Sequence, residues 1–212
     1  SLYGYDANSN LTSLSYPSGM QVQYSYNGHG QVTGVTGFGG SVNNIAYYTS
    51  GIQSGLMRSH TFSNGITTNM NYSDRNQLSG LIAGSNVLNR EYIYDVRGNL
   101  TNIVDNQTTE NDKSFSYDDF NRLTDFLGPW GNGSFEYDSW GNRISRELNG
   151  SRKIYEIDYY TNLLKLTYDD GYAGANNSMF SYNLDGDVIQ INKSGKTHLL
   201  TYNEFHNLST YS

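Results

Sequence analysis

The sequence predicts an all-β fold: tandem β-hairpins of about 22 residues forming one strongly curved or spiralling antiparallel sheet. Two observations carry that prediction. A tyrosine phrase recurs at near-constant spacing, with its anchor at Tyr5, Tyr26, Tyr47, Tyr72, Tyr94, Tyr117, Tyr137, Tyr159, Tyr182 and Tyr202, so nine intervals cover 197 residues. Two positions before each anchor stands an apolar or aromatic residue, as in Tyr24, Met70, Tyr92, Phe135 and Phe180. A step of two puts both side chains on one face of a strand, whereas a helix would need steps of three and four.

The elements of one repeat follow in order. The outgoing strand ends at the anchor, and Asp or Asn follows at Asp6, Asn27, Asp95, Asp118, Asp138, Asn183 and Asn203. A short side-chain acceptor there bonds a backbone N–H two residues on and starts a turn. Four residues past the anchor come Ser9, Gly30, Gly51, Asn76, Gly98, Asn121, Gly141, Gly186 and His206, mostly types that tolerate positive φ. The eighth copy has Leu163 in that place with Asn162 before it, which reads as a loop one residue shorter. The return strand carries Leu11, Val32, Leu78, Leu100, Leu123, Val188 and Leu208, then a second apolar residue three positions later, such as Leu14, Val35, Leu56, Leu81, Ile103, Phe126 and Ile191. A step of three cannot hold one face of a regular strand, so a bulge or strand end is expected between them. Second turns at Tyr16-Pro17-Ser18-Gly19, Phe62-Ser63-Asn64-Gly65 and Tyr168-Asp169-Asp170-Gly171 then reverse the chain.

About ten such repeats fill residues 1–212 as a single array, with no polar cap at either end of the sequence. Roughly twenty strands at ~4.8 Å would make a sheet on the order of 95 Å wide, and accumulated twist curls so wide a sheet. The hydrophobic fraction of 36% is low, but the 20 tyrosines supply rings that pack while their hydroxyls stay wet or bonded. The chain has no cysteine, so disulfides and thiolate metal sites are excluded, and its net charge of −7 disfavours nucleic acid as a partner. No apolar run is long enough to span a membrane.

The phrases Tyr94-Asp95-Val96-Arg97-Gly98-Asn99-Leu100 and Tyr137-Asp138-Ser139-Trp140-Gly141-Asn142-Arg143, with Tyr16-Pro17-Ser18-Gly19, resemble the YD repeats of Rhs proteins. That family includes bacterial Rhs toxins, shell components of insecticidal toxin complexes, and teneurins. The resemblance runs along the whole chain. It implies a sheet spiralling into a hollow shell that often encloses a toxic domain, in secreted or cell-surface proteins, with further YD repeats as neighbours. The family's self-cleaving Asp-Pro-x-Gly motif has no counterpart here.

No elbow serine, phosphate loop or zinc motif is present, and neither cofactor nor catalytic residue is expected. His29, His60, His198 and His206 lack metal-ligand spacing, and Asn183, Asp185 and Asp187 imitate a calcium loop without its glycine register or closing glutamate. Trp130, Trp140, Tyr48 and Tyr160 are candidates for stacking on surface glycans, against the simpler reading that these rings pack between turns of the sheet. Three roles are therefore carried forward: a non-catalytic shell wall, a glycan-binding or adhesive surface, and a self-assembling fibre subunit joined through end strands.

Overall fold

The computed structural model describes residues 1–37, 39–170 and 177–212; among them, strands are broken only by turns, loops and one 3-10 turn at Thr109–Asn111. The chain divides into two compact units, Ser1–Asp112 and Lys113–Ser212. The first unit is an antiparallel meander of β1 (Leu2–Tyr5), β2 (Leu11–Ser15), β3 (Gln21–Tyr26), β4 (Val32–Gly37), β5 (Gly40–Tyr47), β6 (Met57–Phe62), β7 (Thr67–Tyr72), β8 (Leu78–Ala83), β9 (Leu88–Tyr94) and β10 (Leu100–Asp105). The second repeats the plan with β11 (Lys113–Tyr117), β12 (Leu123–Gly128), β13 (Gly131–Tyr137), β14 (Arg143–Leu148), β15 (Ser151–Ile157), β16 (Leu164–Asp169), β17 (Ser178–Tyr182), β18 (Val188–Lys193), β19 (Lys196–Tyr202) and β20 (Leu208–Tyr211). In each unit every strand pairs with its sequence neighbours, as short connections favour.

A bulge sits in every tyrosine-phrase hairpin described, at the same place. Tyr94 faces Leu100 but Ile93 faces Asn102, so Thr101 is skipped, and Tyr92 then faces Ile103. In β3–β4, Tyr26 faces Val32, Ser25 faces Gly34 and Tyr24 faces Val35. The bulge thus turns a step of three on the return strand into a match for the step of two on the outgoing strand. Both apolar pairs land on the tyrosine face.

The other face of β2–β7 carries Ser13, Ser15, Gln21, Gln23, Ser25, Thr36, Ser41, Asn43, Ser59, Thr61, Thr67, Asn69 and Asn71, which alternate with the tyrosine-face residues. Buried apolar residues on the described part of the molecule are few, namely Val22, Ile45 and Ala83, and no side chain there is fully enclosed. Each unit is held by its ladder and by half-buried rings rather than by a two-layer core.

Two turns depart from the sequence-based expectation. In the third hairpin residues 48–56 separate Tyr47 from its partner Met57, so Leu56 lies in the loop and not on the return strand. In the eighth, Ile157 and not Tyr159 ends β15, and it faces Leu164. Asn162 N–H bonds the Asp158 carbonyl, whereas in the seventh hairpin Gly141 N–H bonds Asp138, so the eighth loop is one residue longer, not shorter. Between hairpins, the Tyr16 and Phe62 turns close with Gly19 and Gly65 at φ 84° and 82°, while Gly171 of the third predicted turn lies outside the described residues. Asn149-Gly150, with φ of 51° and 80°, is the type I′ pair that matches strand twist best.

Gly98 and Gly141 stand at φ 93° and 92°. A β-branched side chain resists that region, so Gly141→Val is expected to lower stability by about 1 kcal/mol or more. Urea melting of the variant measures the loss; a transition identical to the parent's would show that the turn relaxes to negative φ.

Candidate functional site

The repeated feature of the molecule is a clasp at most of the tyrosine-phrase turns and a bolt from seven of the anchors to the hairpin before it. In the clasp the Asp95 carboxylate Oδ1 accepts the Arg97 and Asn99 N–H groups at 2.9 and 2.8 Å, and Oδ2 accepts Asn99 Nδ2 at 2.9 Å. Asp138 does the same with Trp140, Asn142 and the Asn142 amide. Asp6 repeats it with Asn8 and Asn10. Asn27, Asn183 and Asn203 form the neutral version, and Ser73 a hydroxyl version. Turn residues at positive φ complete the loop: Ser9, Gly30, Gly51, Asn76, Asn121, Gly186 and His206 share this conformation with Gly98 and Gly141, and Asn162 takes it in the eighth hairpin.

The clasp has an electrostatic consequence. The Asn99 amide holds the Asp95 carboxyl below its ordinary 3.8, and Asn142 and Asn10 do the same for Asp138 and Asp6. For Asp158 the first cause is the Thr161 N–H. A folded-state pKa lowered below the unfolded value contributes stability that is present above 3.8 and lost as pH falls through the folded value. His206 runs the other way: its bond to Asp187, 2.9 Å from Nδ1, raises its pKa, so its contribution is present below 6.5 and lost as pH rises through the folded value. The carboxylate clasps outnumber this pair, so the urea midpoint is expected to fall between about pH 5 and pH 2. Asp138→Asn, which keeps an acceptor of the kind used at Asn27, should soften that dependence.

The bolt is the anchor hydroxyl. Tyr26 Oη donates to the Leu11 carbonyl at 2.7 Å, Tyr47 to Val32 at 2.8 Å, Tyr72 to Met57 at 2.9 Å and Tyr94 to Leu78 at 2.9 Å. In the second unit Tyr137 reaches Leu123, Tyr182 reaches Leu164 and Tyr202 reaches Val188. Each acceptor is the first return-strand residue of the preceding hairpin, whose carbonyl the bulge leaves beside the ladder. The bolted anchors therefore share one face of each unit, with their hydroxyls bonding backbone. Tyr5 is 62% exposed, and Tyr117 ends β11 opposite Leu123. Tyr159 is no anchor: it sits in the turn, 83% exposed, because Ile157 occupies the strand end.

The four stacking candidates separate into two kinds. Tyr48 Oη donates to the Met70 carbonyl at 3.0 Å and its ring meets Tyr72 edge-on at 6.1 Å, so it is spent inside the sheet. Trp130 covers Gly128 and lies under Lys113 Nζ, 5.7 Å from its ring centroid. Trp140 and Tyr160 are 77% and 92% exposed. The calcium-like residues are also engaged, since Asn183 accepts the Asp185 and Asp187 N–H groups while Asp187 Oδ2 takes the Asn183 amide and His206. Among the described residues no group of three His, Asp or Glu side chains is placed to hold a metal.

Residues 5–42 match the RHS repeat family model. The matched segment holds the first two anchors, and a similar tyrosine phrase recurs through both units. Solved structures with the same fold include one of TcdB2–TccC3–TEV, with TM-score 0.63 and 16% identity over 95% of this chain. A Photorhabdus luminescens Tc holotoxin pore structure carrying a TccC3 mutation gives 0.58 and 16% over 95%, and TcdB2–TccC3 without its hypervariable C-terminal region gives 0.60 and 15% over 98%. The chain spans 12–14% of the length of those chains. No curated protein sequence matches it.

Proposed function

We propose that the chain is a non-catalytic wall segment of an RHS-repeat shell that encloses or displays other domains. The observation that carries this reading is surface. The chain exposes 13800 Å², against about 11,900 Å² for two ordinary folded units that share its 23.8 kDa equally. A sheet that spends its side chains on one layer of bolts and clasps has little interior, which suits a partition better than a pocketed enzyme.

Both units belong to one array over residues 1–212 in this reading, with further repeats and an enclosed toxin domain as partners. Its setting is a secreted or surface-exposed particle, supported by the fold shared with the Tc toxin chains. The bolts suit the task because each ties a hairpin to its predecessor through backbone.

The test uses the longest natural chain that contains this sequence. Electron microscopy should show hollow particles, and an adjoining domain should resist trypsin until the particle is opened by denaturant. A solid or extended particle, or an adjoining domain digested at the rate of its isolated form, would refute the enclosure.

A further inference from the structure

The seventh hairpin, β13–β14, puts charge where the repeat otherwise puts hydrocarbon. The residue facing the end of the outgoing strand is aliphatic or methionine in the other described hairpins, as at Leu11, Met57 and Val188. Here it is Arg143, opposite Tyr137. The next tyrosine-face position of the return strand holds Leu14, Val35, Leu81, Ile103, Phe126 and Ile191 in six of them, but Arg146 here, opposite Phe135. Cations at both apolar positions of one strand give up burial, and a local departure of that kind is the pattern expected of a functional position.

The two arginines share their face with a third cation. Lys153 of β15 stands directly across from Arg146, and like charges directly opposite each other destabilise a sheet. Lys153 Nζ reaches Asp169 Oδ1 at 3.7 Å, whereas Arg143 and Arg146, both exposed, have no carboxylate partner among the described residues. The acids of β13 and β14, Glu136 and Glu147, alternate onto the other face, where Glu136 pairs with Arg152. Three cations against one carboxylate leave a surplus of two positive charges, on a chain whose net charge is −7. Arg143 is also held in place, its Cζ 4.7 Å from the Tyr155 ring centroid and 5.2 Å from that of Phe135. The rings take the face of the guanidinium and leave its N–H edge, with Arg146 at the next same-face position, for an acceptor.

The surplus selects the ligand. A dianion cancels both charges, whereas a single carboxylate cancels one. Phosphate also has the oxygen geometry that planar guanidiniums bind with paired N–H groups. A nucleic-acid strand would carry its further charges over an acidic chain. We propose that Arg143, Arg146 and Lys153 form a binding site for a phosphate group, free or as a monoester. The site goes beyond the wall reading and does not depend on it, since it uses one strand face of the second unit alone.

The experiment is a calorimetric titration of the chain, in chloride buffer of physiological ionic strength, with inorganic phosphate and with a phosphoserine peptide lacking other charged side chains. Saturable binding of at least one is expected, and the tighter of the two identifies the source of the group. Arg143→Gln and Arg146→Gln should each weaken it about tenfold, through the loss of charge-assisted hydrogen bonds. Lys193→Gln is the control, since Lys193 faces Lys196 in a hairpin without arginine, and its affinity should match the parent's. Acetate should bind far more weakly than phosphate. No saturation with either phosphate probe would overturn the proposal. So would parent-like affinity in either arginine variant, an equal loss in Lys193→Gln, or acetate binding as tightly as phosphate. Should the arginine variants fail to fold, the Nε–Hε resonances of Arg143 and Arg146 decide the matter in the parent. Phosphate should shift both at the concentration that saturates the calorimetry, and unmoved resonances overturn the proposal.

Discussion

Gly133→Ala is expected to destabilise the second unit by about 2–3 kcal/mol, the upper part of the range for overpacking. Gly133 lies in β13 between Phe126 of β12 and Leu148 of β14. A Cβ there would stand 2.4 Å from the Glu147 carbonyl oxygen and 2.4 Å from Phe126 Cζ. The first neighbour is backbone in a paired strand and cannot withdraw without disturbing the β13–β14 ladder. The second belongs to a ring already packed on Phe135, with centroids 5.2 Å apart. The glycine is the floor on which that ring rests. Urea unfolding of parent and variant measures the effect through the midpoint at constant slope. In a Phe126→Ala background the penalty should shrink without vanishing, because the carbonyl remains. A loss below about 0.5 kcal/mol in the parent background would mean that strand and ring both move aside at little cost.

Strand, turn and bulge were all legible because each leaves a mark at fixed spacing. Tyr92 and Tyr94 announce a strand face, Asp95 and Gly98 a clasped turn, and the offset of Leu100 and Ile103 a bulge that the register shows. The period of 22 multiplies such weak signals, since one Tyr-Asp pair alone would mean little.

What escaped the reading is what depends on a partner outside the repeat. The destination of the tyrosine hydroxyl, a carbonyl some 15 residues earlier, leaves no trace in composition, because any residue supplies a carbonyl. Tyr159 misled for a related reason. It keeps the average period, but Asp158 after Ile157 is the clasp residue, and the clasp rather than the tyrosine fixes the strand end. Of the glycan candidates, Tyr48 and Trp130 differ from Trp140 and Tyr160 only in what stands near them in space, namely Met70 and Tyr72, and Lys113 and Gly128. An aromatic residue in a turn has the same appearance in sequence whether covered or bare.

The bolt itself can be weighed at Tyr137. Its hydroxyl donates to the Leu123 carbonyl at 2.9 Å, and the Arg122 guanidinium carbon lies 4.7 Å from its ring centroid. Arg122 in turn donates from Nη1 to the Asp138 carbonyl at 3.0 Å and from Nε to Asp118 Oδ2 at 2.6 Å, so the ring is the platform that lets one arginine join two clasps. Removing only the hydroxyl, in Tyr137→Phe, leaves the Leu123 carbonyl short of a partner at a half-wet site and is expected to cost about 1 kcal/mol. Removing the ring, in Tyr137→Ala, adds the lost packing and the lost seat for Arg122, and about 3 kcal/mol is expected in total. The inequality matters more than either value. If hydrogen bonding alone joined the hairpins, the two variants would unfold at the same urea concentration. If packing alone did, Tyr137→Phe would match the parent. Amide exchange resolves the location as well as the size: in Tyr137→Phe the protection lost should centre on β12 and β13, whereas Tyr137→Ala should also expose the turn amides of Phe120 and Arg122, which the Asp118 carboxylate holds at 2.9 Å each.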